Sequence, residues 1–300
     1  MKKVLFPTDF SETANRSLPH ALKIAHKYNA QVTLLHVRTP YADDPNRPEY
    51  QLLDEGKYEE YIRRNIDQLS REIESSHRIT TAVARDFNPA SGILEFIREN
   101  AIDLTAMGTH GRSALAHFFL GSVAEEVVRS ASCPVLTVAQ DRENYRSNPD
   151  YKKILIAFDF SEYSREAARK AREIAGAYGA RLQALYVIEQ EVPPAYYGMW
   201  RNTLARQLPE IAAKARESLI DALGEEIPDD LGVHVKIGEG KAYREIGEFA
   251  RENEIDLIVM GTHGRSGIER MLLGSTTERV IRIASCPVLT FKLDTDSPPA

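Results

Sequence analysis

The apolar positions of this chain alternate between short continuous runs and longer stretches with a spacing of three and four. In the first half, short apolar or β-rich runs predict strands at residues 4–7, 31–37, 80–85, 103–108 and 134–139. The spaced stretches predict helices at residues 11–28, 52–75, 90–100 and 122–130. Strands that alternate with helices imply a parallel sheet with helices on both faces and right-handed crossovers.

The second half repeats the first. KKVLFPTDFSE at residues 2–12 returns as KKILIAFDFSE at 152–162, and DLTAMGTHGR at 103–112 returns as DLIVMGTHGR at 256–265. Matching strands are predicted at residues 153–157, 181–187, 233–237, 256–260 and 287–292. A repeat of this length indicates duplicated domains. We therefore predict domains at residues 1–140 and 151–293, joined by a polar linker at 141–150.

Composition adds little that is specific. The chain has 300 residues, a net charge of −6 and an ordinary apolar fraction of 43%, so we expect no nucleic-acid partner and no membrane span. The two cysteines, Cys133 and Cys286, occupy equivalent places in the two halves. Such cysteines indicate a reducing, cytoplasmic setting and buried apolar side chains. No Cys/His cluster has the spacing of a metal site.

Candidate chemistry lies in a glycine loop that occurs twice. Gly108-Thr-His-Gly111 is followed after nine residues by Gly121-Ser122, and Gly261-Thr-His-Gly264 by Gly274-Ser275. Each loop follows a predicted strand, where glycines let backbone N–H groups approach an anion. The helix that begins at the serine adds unpaired N–H groups and a favourable dipole. Arg112 and Arg265 would add a counter-charge, so the loops predict phosphate binding.

Purely structural interpretations exist for the same residues. Ser122-Val-Ala-Glu125 and Ser275-Thr-Thr-Glu278 match the capping box, which stabilises a helix without any ligand. His110 and His263 lie within the loops, and we favour a hydrogen-bonding role for them over catalysis.

With these motifs, the sequence resembles the nucleotide-binding subgroup of the universal stress protein family, in its tandem form. The stretch PTDFSETA at residues 7–14 resembles the first strand and turn of that family. The resemblance implies two tandem doubly wound α/β domains, each a five-stranded parallel sheet of order 3-2-1-4-5. It also implies ATP, with or without Mg²⁺, at the point where the strand order reverses.

Site residues follow from the resemblance, motif by motif. Asp9 and Asp159 would contact the adenosine end, because a carboxylate would repel the phosphates. In the first copy the ATP-binding set is Pro7, Asp9, Val37, Met107, Gly108, Gly111, Arg112, Gly121, Ser122 and Val123. In the second copy it is Asp159, Val187, Met260, Gly261, Gly264, Arg265, Gly274, Ser275, Thr276 and Thr277.

The two copies differ at this predicted site. Pro7-Thr8 becomes Ala157-Phe158, and Ala124 stands where Thr277 stands. If the Thr277 hydroxyl holds a phosphate, the first copy lacks that contact.

We predict a cytoplasmic, ATP-binding stress or signalling protein that regulates a protein partner through its nucleotide state. The alternatives are a slow ATPase or other nucleotide-hydrolysing enzyme, and a scaffold that binds no nucleotide. No catalytic residues are assigned, since the chain lacks a Walker loop and a Gly-x-Ser-x-Gly elbow. The last strands would be sheet edges, so we expect the halves to pair through them, and homodimers fit the family.

Overall fold

The computed structural model describes residues 1–39, 55–73, 78–109, 120–139, 149–189, 209–227, 232–264 and 273–293. The chain divides into two units, Met1–Asp141 and Arg142–Ala300. Among the described residues, no helix is both long enough and apolar enough to cross a membrane.

The first unit alternates strands and helices along its whole length. Its strands are β1 (Lys3–Pro7), β2 (Gln31–Arg38), β3 (Arg78–Arg85), β4 (Leu104–Gly108) and β5 (Val135–Val138). Its helices are α1 (Glu12–Asn15), α2 (Leu18–Tyr28), α3 (Glu55–Glu72), α4 (Pro89–Asn100) and α5 (Ser122–Ser130).

The second unit follows the same plan. Its strands are β6 (Lys153–Ala157), β7 (Arg181–Ile188), β8 (His234–Glu239), β9 (Leu257–Gly261) and β10 (Val288–Phe291). Its helices are α6 (Glu162–Tyr178), α7 (Pro209–Gly224), α8 (Ala242–Glu252) and α9 (Ser275–Ile283).

Each unit contains a parallel sheet of the predicted order. The strands run β3-β2-β1-β4-β5 in the first unit and β8-β7-β6-β9-β10 in the second, which confirms the doubly wound fold. Central strands are buried at consecutive positions, as in β4 and β9, so both faces of each sheet are covered. In contrast, the edge strand β3 alternates exposed and half-buried residues.

The order of strands positions the site. β1 and β4 lie side by side in the first unit, and β6 and β9 in the second. The chain leaves these neighbouring strands in opposite directions across the sheet, which opens a crevice at their carboxyl ends. Asp9 and Asp159 follow β1 and β6, while the glycine loops follow β4 and β9.

The first predicted helix is divided in the first unit. Residues 11–28 form α1 and α2, whereas the equivalent residues of the second unit form the continuous helix α6. Pro19 lies in the first turn of α2, and Arg169 occupies its place in α6. Proline has no N–H and its ring clashes with the carbonyl four residues earlier, so the helix restarts at Leu18.

The two cysteines are buried in the core, as the sequence predicts, with exposed fractions of 7% for Cys133 and 1% for Cys286. Burial raises the pKa of the Cys133 thiol to about 11.

Candidate functional site

The second unit has a cleft of about 380 Å³ at the carboxyl ends of β6 and β9. Two of its walls come from the turn after β6 and from the end of β7. The other walls come from the glycine loop and from the first turns of α8 and α9. Of the predicted site residues, the cleft is lined by Asp159, Val187, Met260, Gly261, Gly264, Gly274, Ser275, Thr276 and Thr277. Arg265 lies outside the described residues.

At two glycines of this loop, other atoms occupy the space that a side chain would need. A Cβ at Gly264 would lie 2.5 Å from Asp159 Oδ2, and a Cβ at Gly274 would lie 2.9 Å from the Thr262 carbonyl oxygen. The Gly274 N–H donates to that same carbonyl, at 2.9 Å, and so closes the loop onto the start of α9. The loop is therefore held close to both the carboxylate and the helix.

The start of α9 corrects one interpretation of the sequence. Gly274 is the N-cap, so Ser275 is already the first helical residue, and no side chain caps the helix. The first unit is the same, with Gly121 as the N-cap of α5 and Ser122 as its first residue. The predicted capping boxes are wrong, because a serine must precede the first helical residue in order to cap the helix.

Asp159 is oriented by the turn that follows β6. Its Oδ1 accepts hydrogen bonds from the N–H of Ser161, at 3.0 Å, and from its hydroxyl, at 2.5 Å. Its Oδ2 faces Gly264. In the first unit, Asp9 Oδ1 accepts from the Ser11 N–H in the same way, at 2.9 Å. Each carboxylate thus has one oxygen bound to its own turn.

The residue after each aspartate has an uncommon backbone conformation that sequence reasoning missed. Phe10 and Phe160 have φ angles of 64° and 66°, in the left-handed region that a bulky side chain rarely adopts. Ring packing accompanies this conformation: Phe10 stacks on His36 at 4.6 Å, and Phe160 meets Tyr186 at 4.9 Å. A phenylalanine in a sequence does not indicate a positive φ, so this conformation could not be predicted. The same backbone strain in both units points to a functional turn.

Thr277 takes a different role from the one considered for it. Its hydroxyl is buried and donates to the Gly261 carbonyl at 2.8 Å. Hence Thr277 ties α9 to the end of β9. In the first unit the equivalent Ala124 is also buried, without a hydroxyl.

The histidine of the second loop also has local partners. The His263 Nδ1 lies 3.0 Å from the Thr262 hydroxyl, and its ring lies 5.1 Å from that of Tyr163. These contacts agree with the hydrogen-bonding role expected for it. His110 lies outside the described residues.

The first unit places its predicted residues at the same topological positions. Pro7 is the last residue of β1, and Asp9 lies two residues beyond it. Val37 is near the end of β2, and Met107 and Gly108 end β4. Gly121, Ser122 and Val123 begin α5, and the Gly121 N–H donates to the Thr109 carbonyl at 2.8 Å. Gly111 and Arg112 lie outside the described residues. Loop closure onto the helix is therefore the same in the two units.

The fold and the two glycine loops define a tandem α/β protein, and in the second unit a cleft lies where the strand order reverses. The model of the universal stress protein family matches residues 1–139 and 150–292. The chain belongs to that family.

Three relatives illustrate the similarity. Universal stress protein MJ0531 of Methanocaldococcus jannaschii is 40% identical over 146 residues, which cover 47% of this chain and 82% of the relative. Universal stress protein Slr1230 of Synechocystis is 25% identical over 313 residues, which cover 97% and 100% of the two chains. A universal stress protein structure from Archaeoglobus fulgidus has a TM-score of 0.67 at 24% identity and covers 97% of this chain and 98% of that one. This last likeness concerns the fold.

Proposed function

We propose that this chain binds ATP, free or with Mg²⁺, in a cleft of each domain, and that the bound nucleotide regulates a protein partner. The observation that carries the proposal is the start of α9. The first turn of this helix lines the cleft, and no side chain caps it. Uncapped helix N–H groups together with the helix dipole favour an anion.

The size of the cleft agrees with a nucleotide. Small-molecule sites have volumes of about 300–1,000 Å³, and the cleft in the second unit has about 380 Å³. Its lining combines apolar side chains, such as Leu185 and Ile246, with the glycine loop and the Ser275 hydroxyl. This mixture suits a ligand with one apolar ring system and one anionic end.

Charge sets the direction of the ligand. Asp159 lies at one side of the cleft, against Gly264, and would repel phosphate. We therefore place the phosphates at Ser275 and Thr276 of α9, and the adenosine toward Asp159, Val187 and Met260.

Regulation is proposed in preference to catalysis. The sequence has two glycine loops but neither a Walker loop nor a Gly-x-Ser-x-Gly elbow. We keep a slow ATPase as the alternative, and phosphate release measured on the same samples separates the two. Fast turnover that a cleft substitution abolishes would favour the enzyme.

A matched pair of glycine substitutions tests the proposal. In Gly274→Ala the new Cβ collides with the backbone carbonyl of Thr262, whereas in Gly176→Ala on α6 the Cβ meets no atom within 4 Å. We expect Gly274→Ala to weaken ATP binding to the second cleft about tenfold or more, because hydrogen bonds to charged groups are displaced. Gly176→Ala should bind as the parent does. Calorimetric titration and native mass spectrometry measure both.

Two results would contradict the proposal. The first is a parent protein that binds no ATP at millimolar concentration. The second is a Gly274→Ala variant that binds ATP as tightly as Gly176→Ala, since the cleft would then not be the ATP site.

The extents of the domains and the cellular setting belong to the same proposal. We place the two ATP-binding domains at residues 1–140 and 151–293, with a linker between them, in a cytoplasmic protein. Support comes from the two family matches, which leave residues 140–149 between them. Limited proteolysis should cut first within that linker.

A further inference from the structure

The second unit has a group of cationic side chains where α8 lies beside α9. The Arg279 guanidinium lies 5.0 Å from the centre of the Tyr243 ring, and that of Arg244 lies 5.8 Å from it. Arg244 Nε also donates to the Tyr243 hydroxyl at 3.0 Å. Both distances allow a cation–π interaction, which favours a position beside the tyrosine ring for each of these exposed arginines. We name Tyr243, Arg244 and Arg279 the arginine rim.

The arginine rim adjoins the cleft on two sides. Tyr243 and Arg244 follow Ala242, the first residue of α8, which lines the cleft. On α9, Thr276 lines the cleft, and Arg279 follows it by three residues. Residues three apart are neighbours on one helix face, so Arg279 lies one turn behind the proposed phosphate position.

The first unit carries the opposite charge at the equivalent place. With the repeat offset of 153, Ala90, Ser91 and Glu126 stand where Tyr243, Arg244 and Arg279 stand. Asn88, which caps α4, donates through its Nδ2 to Glu126 Oε2 at 3.4 Å, so the carboxylate lies at the corresponding helix pair. Lys241 replaces that asparagine in the second unit. Counted together with Glu189 and Glu245, whose counterparts are Thr39 and Gly92, the second unit is more positive by two charges at this place.

Acidic neighbours of the arginine rim point to other partners. Glu189 accepts from the Ala242 N–H at 2.8 Å. Glu278 is paired with Arg282 at 3.3 Å, and Glu245 lies against Gly240 beside β8. Within the described residues, the contacts of these three carboxylates are made with groups other than Arg244 and Arg279. In the part of the chain that the structure describes, neither arginine is in an ion pair, so both charges can act on a ligand at the cleft.

We propose that the arginine rim makes the two clefts unequal, with the second cleft the tighter and more salt-dependent site for the polyphosphate of ATP. The proposal rests on ATP binding as proposed above. The first cleft, with Glu126 in place of Arg279, holds the same nucleotide more weakly. A chain with graded sites fills the second cleft at low ATP and the first only at higher ATP.

Single-cleft variants of the full chain make the test site-specific. Gly121→Ala, the counterpart of Gly274→Ala, is used to weaken the first cleft, so that a titration reports on the second. In that background, Arg244→Gln with Arg279→Gln should weaken ATP binding about tenfold at low salt and change adenosine binding less than about twofold. The loss should shrink at about 200 mM salt, because screening reduces interactions between exposed charges.

Two further substitutions serve as a control for the loss of charge and as a test of whether added charge strengthens ATP binding. Arg251→Gln removes the same charge from the last turn of α8, away from the cleft, and should leave ATP binding unchanged. In the Gly274→Ala background, Glu126→Arg should strengthen ATP binding to the first cleft about threefold or more. The Glu126→Arg measurement remains informative even if the variant with both rim arginines replaced is unstable.

The outcomes separate the two proposals. A parent that binds no ATP overturns the proposed function and the arginine rim with it. A parent that binds ATP, with arginine rim variants that keep its affinity and its salt dependence, overturns the arginine rim alone. Equal losses for ATP and adenosine would also overturn it, since the rim acts on phosphate charge.

Discussion

Acid should destabilise the first domain through one buried histidine. His20 lies on α2 with none of its surface exposed, and burial lowers its pKa from 6.5 to about 4. The native protein therefore keeps His20 neutral at a pH where the unfolded chain binds a proton. A lowered folded-state pKa gives a contribution that is full above pH 6.5 and is lost as the pH falls toward 4.

The size of this effect follows from the shift. A difference of about 2.5 pKa units corresponds to about 3 kcal/mol of unfolding free energy once the pH is below both values. At pH 5 the unfolded form is almost fully protonated and the native form is not, so about 2 kcal/mol is already lost relative to pH 7.5. This is a large fraction of the stability of a typical domain.

The repeat supplies an internal comparison. Lys170 occupies the place of His20 in the second unit and pairs with Glu173 at 3.1 Å. Hydrogen-exchange mass spectrometry between pH 7.5 and pH 5, corrected for intrinsic exchange, reports the two units separately through their own peptides. We expect the first unit to lose about 2 kcal/mol of protection through His20. His20→Gln removes the titrating group and should remove that part of the pH dependence.

Two results would refute this reasoning. One is a His20→Gln variant whose first unit keeps the full pH dependence of the parent. The other is a native His20 that titrates near 6.5 in an NMR experiment, since its burial would then impose no penalty on the charged form. His20→Leu provides a second variant in case glutamine is poorly accommodated.

Two further predictions concern helix anchoring and assembly. Thr277→Val removes the buried hydrogen bond to the Gly261 carbonyl and should destabilise the second unit by about 1–2 kcal/mol, measured by urea unfolding; unchanged stability would show that the bond contributes nothing. Pairing of the two halves through their last strands should give one compact particle in small-angle scattering, whereas two separately moving domains would contradict it.

Much of the fold could be predicted from periodicity and repetition. The alternation of runs and spaced stretches predicts every described strand within about two residues. For central strands such as β4 and β9, the reason is that burial on both sheet faces requires apolar side chains at successive positions. The repeat at residues 2–12 and 152–162 predicts two similar units. The strand order came from the family resemblance, since apolar patterns do not specify which strands are neighbours.

The candidate site was only partly predictable. The glycine spacing predicts a loop that must approach other atoms, and the close positions of Gly264 and Gly274 agree with it. The pattern Ser-x-x-Glu, however, fits a helix that begins at the serine as well as one that it caps. Only the backbone angles of Gly121 and Gly274 decide that these glycines are the N-caps.

Patterns in the sequence are enough to predict two α/β domains, each with a glycine loop of the same spacing. How individual groups are used depends on contacts made in the folded chain. The Thr277 hydroxyl donates to a carbonyl, Phe160 has a left-handed backbone, and Arg279 lies beside Tyr243. Each of these depends on a partner distant in the chain or on a single backbone angle. Contacts with distant partners and single backbone angles produce no periodic pattern in the sequence. Hydrophobic patterning records which side of an element is buried, and not which atom lies opposite it.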